Sequence, residues 1–549
     1  MPILPPGINE TDFSAALGQF AETVGTNWVF TSDEDVALYR DAYSPFWGSD
    51  EEKLASAAVA PESVEEVQQI VRIANRYRIP LYPISTGKNY GYGGSAPVHS
   101  GSVVVDLKRM NRVLEIDERN ATCLVEPGVS YFDLYNAIQE KGAKLWIDCP
   151  DPGWGSPIGN ALDHGLGYTI GHFRDHFGSH CGMEVVLPNG EVLRTGPGGI
   201  PGSKTWQQYQ YAFGPQLDGI FTQSNFGIVT KMGFWLAPEP EAFREDTVAV
   251  YNHDDLIPLV DVTSYLTNSS ISNGLPGLGS PLLRAIGTSW GGPDSDPEHI
   301  ALLQTSDRPA LERYGREKNI PYWTCNIKTY GPKEVISAQW AHAREKFASS
   351  IPGATFTEGE KLEFPLTYEQ GEEYQQGRIA GGRVDFGIPN LSIFQIISRT
   401  PWNPDPKFGH YYFSPMIPKT GEAIFEASKV FTETYDQLGL PRPPQGITSL
   451  PALYYQRSAM LLMALQVTRN VEVDRKNRSA FKELVKIAAE HGWGEYRTPP
   501  AFQDDVMNAY SFGNNSLRRF NETIKDAIDP NGIISPGKSG IWPKNMRKA

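Results

Sequence analysis

The stretch Pro83–Pro97, Pro-Ile-Ser-Thr-Gly-Lys-Asn-Tyr-Gly-Tyr-Gly-Gly-Ser-Ala-Pro, sets the tightest limit on how this chain can fold. It follows a short apolar run, Ile79–Ile84, that reads as a buried strand. Upstream, Ser63 opens Ser-Val-Glu-Glu, a capping box with Glu66 at the third helical position. Val64, Val67, Ile70, Val71 and Ala74 then recur at helical spacing and predict a helix over 64–78 with one face on a sheet. With Ala55–Ala60 as a further strand, the order is strand, helix, strand, loop, which is an α/β unit. Gly87, Gly91, Gly93 and Gly94 stand among small polar residues in the loop. Glycine tolerates positive φ and lets backbone approach a ligand. Successive N–H groups in such a loop form an anion-binding nest, and a diphosphate suits it. A solvated glycine loop is the other reading, because the spacing is neither the dinucleotide fingerprint nor the Walker pattern.

Along the chain, residues 12–25 and 130–141 carry helical spacing, and Gly101–Leu107 and Thr122–Val125 read as strands, the second followed by a turn at 126–129. A second glycine-rich region runs from Asp151 to Gly182, interleaved with Trp154, Ile158, Leu162, Tyr168 and Phe173. Those apolar residues argue against disorder and for backbone wrapped around something flat or extended. Strands follow at Met183–Leu187, Gly190–Arg194 and Ile228–Trp235. From about residue 240 the glycine loops thin out. Helices are predicted over 332–349, 419–438 and 471–491, with strands at 321–330, 409–415 and 459–468, as in a separate α+β domain. The compact segment Gly-Trp-Gly-Glu-Tyr-Arg-Thr (492–498) and a turn-rich tail, 529–540, close the chain.

A net charge of −15 argues against a nucleic-acid binder, which carries a basic footprint. Cys123, Cys149, Cys181 and Cys325 form no CxxC pair and are too sparse for a disulfide framework. The opening Met-Pro-Ile-Leu-Pro-Pro-Gly lacks a basic region before an apolar run, and no apolar stretch reaches membrane-span length. A cytoplasmic protein is expected, with no metal.

PISTGKNYGYGGSAP, VEPGVSY, WIDCPDPGWGSPIGNALDHGLGYT, GMEVVLPNGEVLRTG, FTQSNFGIVTKMGFWL, GWGEYRT and DPNGIISPGKSG together resemble the vanillyl-alcohol oxidase/p-cresol methylhydroxylase family of flavoproteins. The match is densest in 55–235 and 491–543 and weak across 245–450. The resemblance implies an α+β chain. A two-part FAD-binding domain (1–240 and 496–549) would flank a cap domain (241–495). Thr86, Gly87, Lys88, Asn89 and Tyr90 would cradle the diphosphate. Pro127, Gly128, Val129, Gly155, Ser156, Gly159, Asn160, Ile228 and Val229 would line the rest of FAD, with Lys538 near the flavin.

It also implies the chemistry. Para-substituted phenols (4-alkylphenols, 4-hydroxybenzylic alcohols) react as phenolates, and a free phenol titrates near ~10. A site working near neutrality must bring that value down, and each pH unit by which it does so takes about 1.4 kcal/mol of interaction with the anion. Arg497 would supply fixed charge, and Tyr92 and Tyr496 directed donors. Taken one at a time, these residues read more readily as an ion pair and two packed tyrosines, and the motif context reverses that preference. Asp151 would accept a proton when water adds to the p-quinone methide left by hydride loss, although Pro-Asp-Pro-Gly is also ordinary turn chemistry. Trp154, Phe394 and Ile396 are expected cavity walls.

Many family members tether the flavin to a cap histidine or a tyrosine. Here the aligned positions read Arg-Ser-Ala-Met near Arg457–Met460, and Ser-Ile-Phe-Gln-Ile-Ile after Pro389-Asn390-Leu391. An assisting N-terminal histidine is replaced by Pro45-Phe46-Trp47. Noncovalent FAD is expected, with Tyr454 or Tyr455 as alternative attachment points. The short connection 197–204 points to a homodimer rather than an octamer. The expected activity is oxidation with O₂ as acceptor. A cytochrome acceptor, a sugar- or hydroxyacid-oxidising relative and a non-catalytic flavin-binding protein are the alternatives.

Overall fold

The computed structural model describes residues 3–284, 298, 299, 301, 302, 307–376, 382–392, 409–440, 451, 452 and 457–547. Phe394, Ile396, Tyr454 and Tyr455 lie outside them.

The predicted α/β unit is the first sheet. Its strands run Val29–Phe30, Ala57–Val59, Val103–Asp106, Leu81–Ile84 in spatial order. Val103–Asp106 is parallel to both Ala57–Val59 and Leu81–Ile84. Helix Val64–Tyr77 buries Val67, Ile70, Val71, Ile73 and Ala74 against it, with helix Glu10–Val24 packed alongside. The Ser63 hydroxyl accepts from Glu66 N–H, as the capping box requires, but the Glu66 carboxylate turns to Glu62 N–H instead of the cap residue. Half of the predicted reciprocal pair is therefore formed one residue upstream.

The tail completes this sheet. Leu81 N–H donates to Ile533 O at 2.7 Å and Ser535 N–H to Leu81 O at 2.8 Å, adding a parallel bridge at Ile534. A fully buried Lys525 fastens the turn, with Nζ at 2.7 Å from each of Asn225 O, Asp529 Oδ2 and Ile534 O. A buried ammonium is tolerable only when paired and hydrogen-bonded in this way.

A second, antiparallel sheet runs Val113–Asp117, Thr122–Val125, Ile228–Trp235, His180–Val186, Val192–Arg194. Helix Tyr131–Lys141, closed by a Ser130/Asp133 capping box, packs on it with the short helix Pro157–Leu162. Val186 and Ile228 belong to the core of the first sheet, so the two sheets share an apolar seam.

The remaining part is built on strands Gly277–Gly279, Trp323–Gly331, Ala242–Val250 and Thr355–Thr357 in spatial order, with Lys361–Glu363 also pairing Ala242–Val250. Helices Leu256–Asn268, Lys333–Ser350, Gly421–Leu438 and Val471–Glu490 cover it around one apolar core. The single strand expected over 459–468 is two. Ser458–Leu461 pairs with Met416–Pro418, and Met463–Val467 pairs with Gly409–Phe413. The chain changes sheet at Leu462, which faces the cavity described next.

Candidate active site

A cavity of about 370 Å³ lies between the two sheets and the third part, within the ordinary size of small-molecule sites. The glycine loop forms one wall. Gly87 has φ +65°, and a Cβ there would lie 2.3 Å from Ser95 Oγ, so no larger residue keeps this turn. Gly91, at φ +81°, lets the loop pass Tyr412, whose ring a Cβ would meet at 2.9 Å. Thr86, Gly87, Lys88, Asn89 and Tyr90 line the cavity, as do Pro127, Gly155, Ser156, Gly159, Asn160, Ile228, Val229 and Lys538. Gly128 and Val129 do not. Gly128 packs against the carbonyls of Leu107, Lys108 and Met110, and Val129 is fully buried in the core behind Pro127.

The four expected catalytic residues line the same cavity. The Arg497 guanidinium carbon sits 4.1 Å from the centre of the Tyr92 ring and 5.0 Å from that of Tyr496. The two rings meet edge to face at 6.2 Å. Burial opposes the Arg497 charge, but Tyr496, Asp163 and Tyr92 outweigh it and hold the guanidinium firmly protonated. Burial pushes the Tyr92 hydroxyl up to about 12, although Arg497 pulls it down. Tyr92 thus stays a neutral donor. The Tyr92 and Ser414 hydroxyl oxygens lie 2.6 Å apart. The Tyr496 hydroxyl donates to His164 O. Burial raises the Asp151 carboxyl to about 6, against the Tyr168 hydroxyl, which donates to Asp151 Oδ2.

Trp154 stands apart from this cavity. It is 47% exposed and lines no part of the cavity. Its neighbour Gly153 packs on Phe132 and Pro389 and donates to Asn390 O.

Other cavity residues are not evident from the sequence. Asp163 accepts from Asn89 Nδ2 at 2.6 Å and lies 3.5 Å from Arg497 Nη1 and 3.9 Å from Lys538 Nζ, so it links loop, tail and arginine. His410, Tyr412, Met460 and Leu462 come from the third part. His410 is buried with Nε2 unbonded among the described residues, and burial lowers its pKa to about 4. A signal for it does exist. In Gly409–Phe413, Tyr411 and Phe413 face the core, so His410 and Tyr412 must face the other way.

The residues present fit FAD. The cavity pairs a glycine cradle with cationic Lys88 and Lys538, and Asn160 Oδ1 is a buried acceptor without a partner among the described residues. Among those residues no His, Cys, Asp and Glu cluster suits a metal ion, and no helix is long and apolar enough to cross a membrane.

Comparison with known proteins agrees with this geometry. A family model for an FAD-binding domain matches residues 55–196. The 4-cresol dehydrogenase (hydroxylating) flavoprotein subunit of Pseudomonas putida is 31% identical over 547 residues, 98% of each chain. The solved 4-ethylphenol oxidase of Gulosibacter chungangensis, in complex with isoeugenol, superimposes with a TM-score of 0.81 at 36% identity, over 99% of this chain and 100% of that one. Substrate-bound p-cresol methylhydroxylase gives the same TM-score at 29% identity, over 99% and 100%. With relatives this similar across both full lengths, the chain belongs to the family of phenol-oxidising FAD flavoproteins, and it is an FAD-dependent oxidoreductase.

Proposed function

We propose that this protein is an oxidase of para-substituted phenols, 4-alkylphenols or 4-hydroxybenzylic alcohols, with O₂ as electron acceptor and peroxide as product. The observation that carries the reading is Arg497 stacked within 4.1 Å of Tyr92 and 5.0 Å of Tyr496 in the cavity lined by the glycine loop. A permanent cation beside the Tyr92 hydroxyl is what a bound phenolate needs, and the Tyr496 hydroxyl, which rests on His164 O, would turn to the phenolate when it binds. Thr86–Tyr90, Gly155, Ser156, Gly159, Asn160, Ile228, Val229 and Lys538 would hold FAD, within a domain formed by 1–240 and 496–549, with 241–495 as the cap. When bound, FAD supplies the acceptor for the hydride that leaves the benzylic carbon. Arg497, Tyr92 and Tyr496 hold the phenolate through that loss, and the packed Tyr412, Met460 and Leu462 keep water from its ring. Asp151, ionised above about 6, takes the proton of the water that adds to the quinone methide.

A cytochrome acceptor is the second reading, favoured by the name of the Pseudomonas relative, a dehydrogenase flavoprotein subunit. Anaerobic titration of the yellow protein with 4-ethylphenol, then air, separates the two. Bleaching followed by recovery with peroxide supports the oxidase. Bleaching that air scarcely reverses assigns a protein acceptor. No bleaching with any para-substituted phenol refutes both.

Flavin attachment also has two readings. Arg457–Met460 holds neither histidine nor tyrosine, which supports noncovalent FAD. His410, a cavity-lining imidazole with a free Nε2 among the described residues, favours a histidyl bond. Acid precipitation decides, since the colour follows the protein only if the bond exists. We further propose a cytoplasmic homodimer, which sedimentation at micromolar concentration tests.

A further inference from the structure

We infer that Ser414 is a positioning residue for the Tyr92 hydroxyl and that Glu495 fixes Ser414; this rests on the phenolate reading above. Three segments distant in sequence meet at this point. The hydroxyl oxygens of Ser414 and Tyr92 are 2.6 Å apart. Ser414 N–H donates to Glu495 Oε1 at 2.6 Å. Two backbone bonds secure the same junction, Tyr496 N–H to Ser414 O at 3.0 Å and Met416 N–H to Gly494 O at 2.8 Å.

The hydroxyl chemistry gives the junction its purpose. A tyrosine hydroxyl has one proton to give, and arginine can only donate. The Arg497 guanidinium lies over the Tyr92 ring and draws the hydroxyl's pKa down, so it competes for none of the Tyr92 proton. If Ser414 donates to the Tyr92 oxygen, the Tyr92 proton is left for the phenolate. If Ser414 were to turn away, that proton would have other outlets. Ser414 is fully buried, so its orientation is set by protein contacts alone. Glu495 Oε2 is closed to solvent and has no partner among the described residues. An ionised carboxylate there would be costly, and burial holds this carboxyl well above its usual range. Glu495 therefore clamps Ser414 as a neutral acid and adds no negative charge beside the phenolate. The charged and titratable groups facing Tyr92 are Arg497, Tyr412, Tyr496 and Glu495.

The test uses the FAD-loaded enzyme and 4-nitrophenol, whose neutral and anionic forms absorb at different wavelengths. The bound anion-to-phenol ratio is read across pH in wild type and in Tyr92→Phe, Ser414→Ala, Ser414→Thr, Glu495→Ala and Glu495→Gln. Ser414→Ala should lower the ratio about tenfold, the scale of one lost hydrogen bond. Ser414→Thr, which keeps the hydroxyl, should stay within about threefold of wild type. Glu495→Ala should lower it and Glu495→Gln, a neutral acceptor, should restore it. A wild-type ratio in Ser414→Ala beside a lowered one in Tyr92→Phe overturns the positioning role and leaves the phenolate reading intact. An unchanged ratio in Tyr92→Phe overturns both. If Ser414→Ala does not fold, equal ratios in Glu495→Ala and Glu495→Gln overturn the proposal.

Discussion

The two sides of the cavity are made differently. The loop side supplies backbone: Gly87 and Gly91 at positive φ, Gly155 and Gly159 in the second glycine region, and a tail stitched to Leu81. The far side supplies side chains from ordinary strands, His410, Tyr412, Met460 and Leu462. Arg497 and Tyr496 sit on the seam. The first side is specified by residues that have few substitutes. The second is specified by which face of a strand happens to look inward. A cofactor common to many chemistries suits the first construction, and a substrate that varies suits the second.

The largest effect should come from the seam. Arg497→Ala is expected to lower kcat/KM for a 4-alkylphenol by about a thousandfold, the scale of losing a charge aimed at a reacting anion. Flavin content should fall far less, because the backbone cradle is kept and Asp163 retains Asn89 and Lys538. Lysine should recover little, since it lacks the planar guanidinium stacked on Tyr92. A loss of flavin as large as the loss of activity in Arg497→Ala would erase the division between the two sides.

Asp151 comes next and has a sign that can be worked out. Its carboxyl titrates at about 6 in the fold, against ~3.9 unfolded. Activity that needs the carboxylate should rise through pH 6, and Asp151→Asn should lose that limb together with about a hundredfold in turnover. Stability runs the other way. Between ~3.9 and about 6 the folded state binds more protons, so stability falls as pH rises, and the penalty is complete above 6. Asp151→Asn should therefore be more stable than wild type at pH ~7, by up to about 3 kcal/mol, and no more stable below pH ~4. Urea melts at the two pH values check it.

The loop side is legible in the sequence because its residues announce backbone geometry. Ser63, the helical spacing after it, and the glycines after Ile84 each have one structural meaning, and strands Thr122–Val125 and Ile228–Trp235 fall where the apolar runs put them. The far side is half legible. Helices over 333–350 and 421–438 follow from spacing, yet the break at Leu462 does not, because an apolar run does not say when a strand changes partner. Asp163 is hidden for another reason. A carboxylate beside an expected diphosphate site looks wrong until Arg497 and Lys538 are seen converging on it from distant segments. His410 stands well away in sequence from Arg457–Met460, where a tethering histidine is expected, and only the pairing of strands brings it to the same cavity as Met460. Trp154 is expected as a cavity wall from the resemblance, yet it is 47% exposed and outside the cavity lining.

The smallest effect tests that last distinction and sharpens the comparison most. Trp154 and Met460 both lie in or near regions expected to face the substrate. Met460 is 3% exposed and packs with Tyr92 and Tyr496, whereas Trp154 is 47% exposed. Met460→Ala should open room beside the ring and shift KM by about tenfold between short and long 4-alkylphenols, since each buried methylene is worth about 0.8 kcal/mol. Trp154→Ala should change neither KM nor chain-length preference by more than about twofold, because surface substitutions away from a site stay within about 0.5 kcal/mol. A KM series over 4-methyl-, 4-ethyl- and 4-propylphenol reads both. If Trp154→Ala reshapes that series and Met460→Ala does not, selectivity is written on the glycine-rich side and not on the far side.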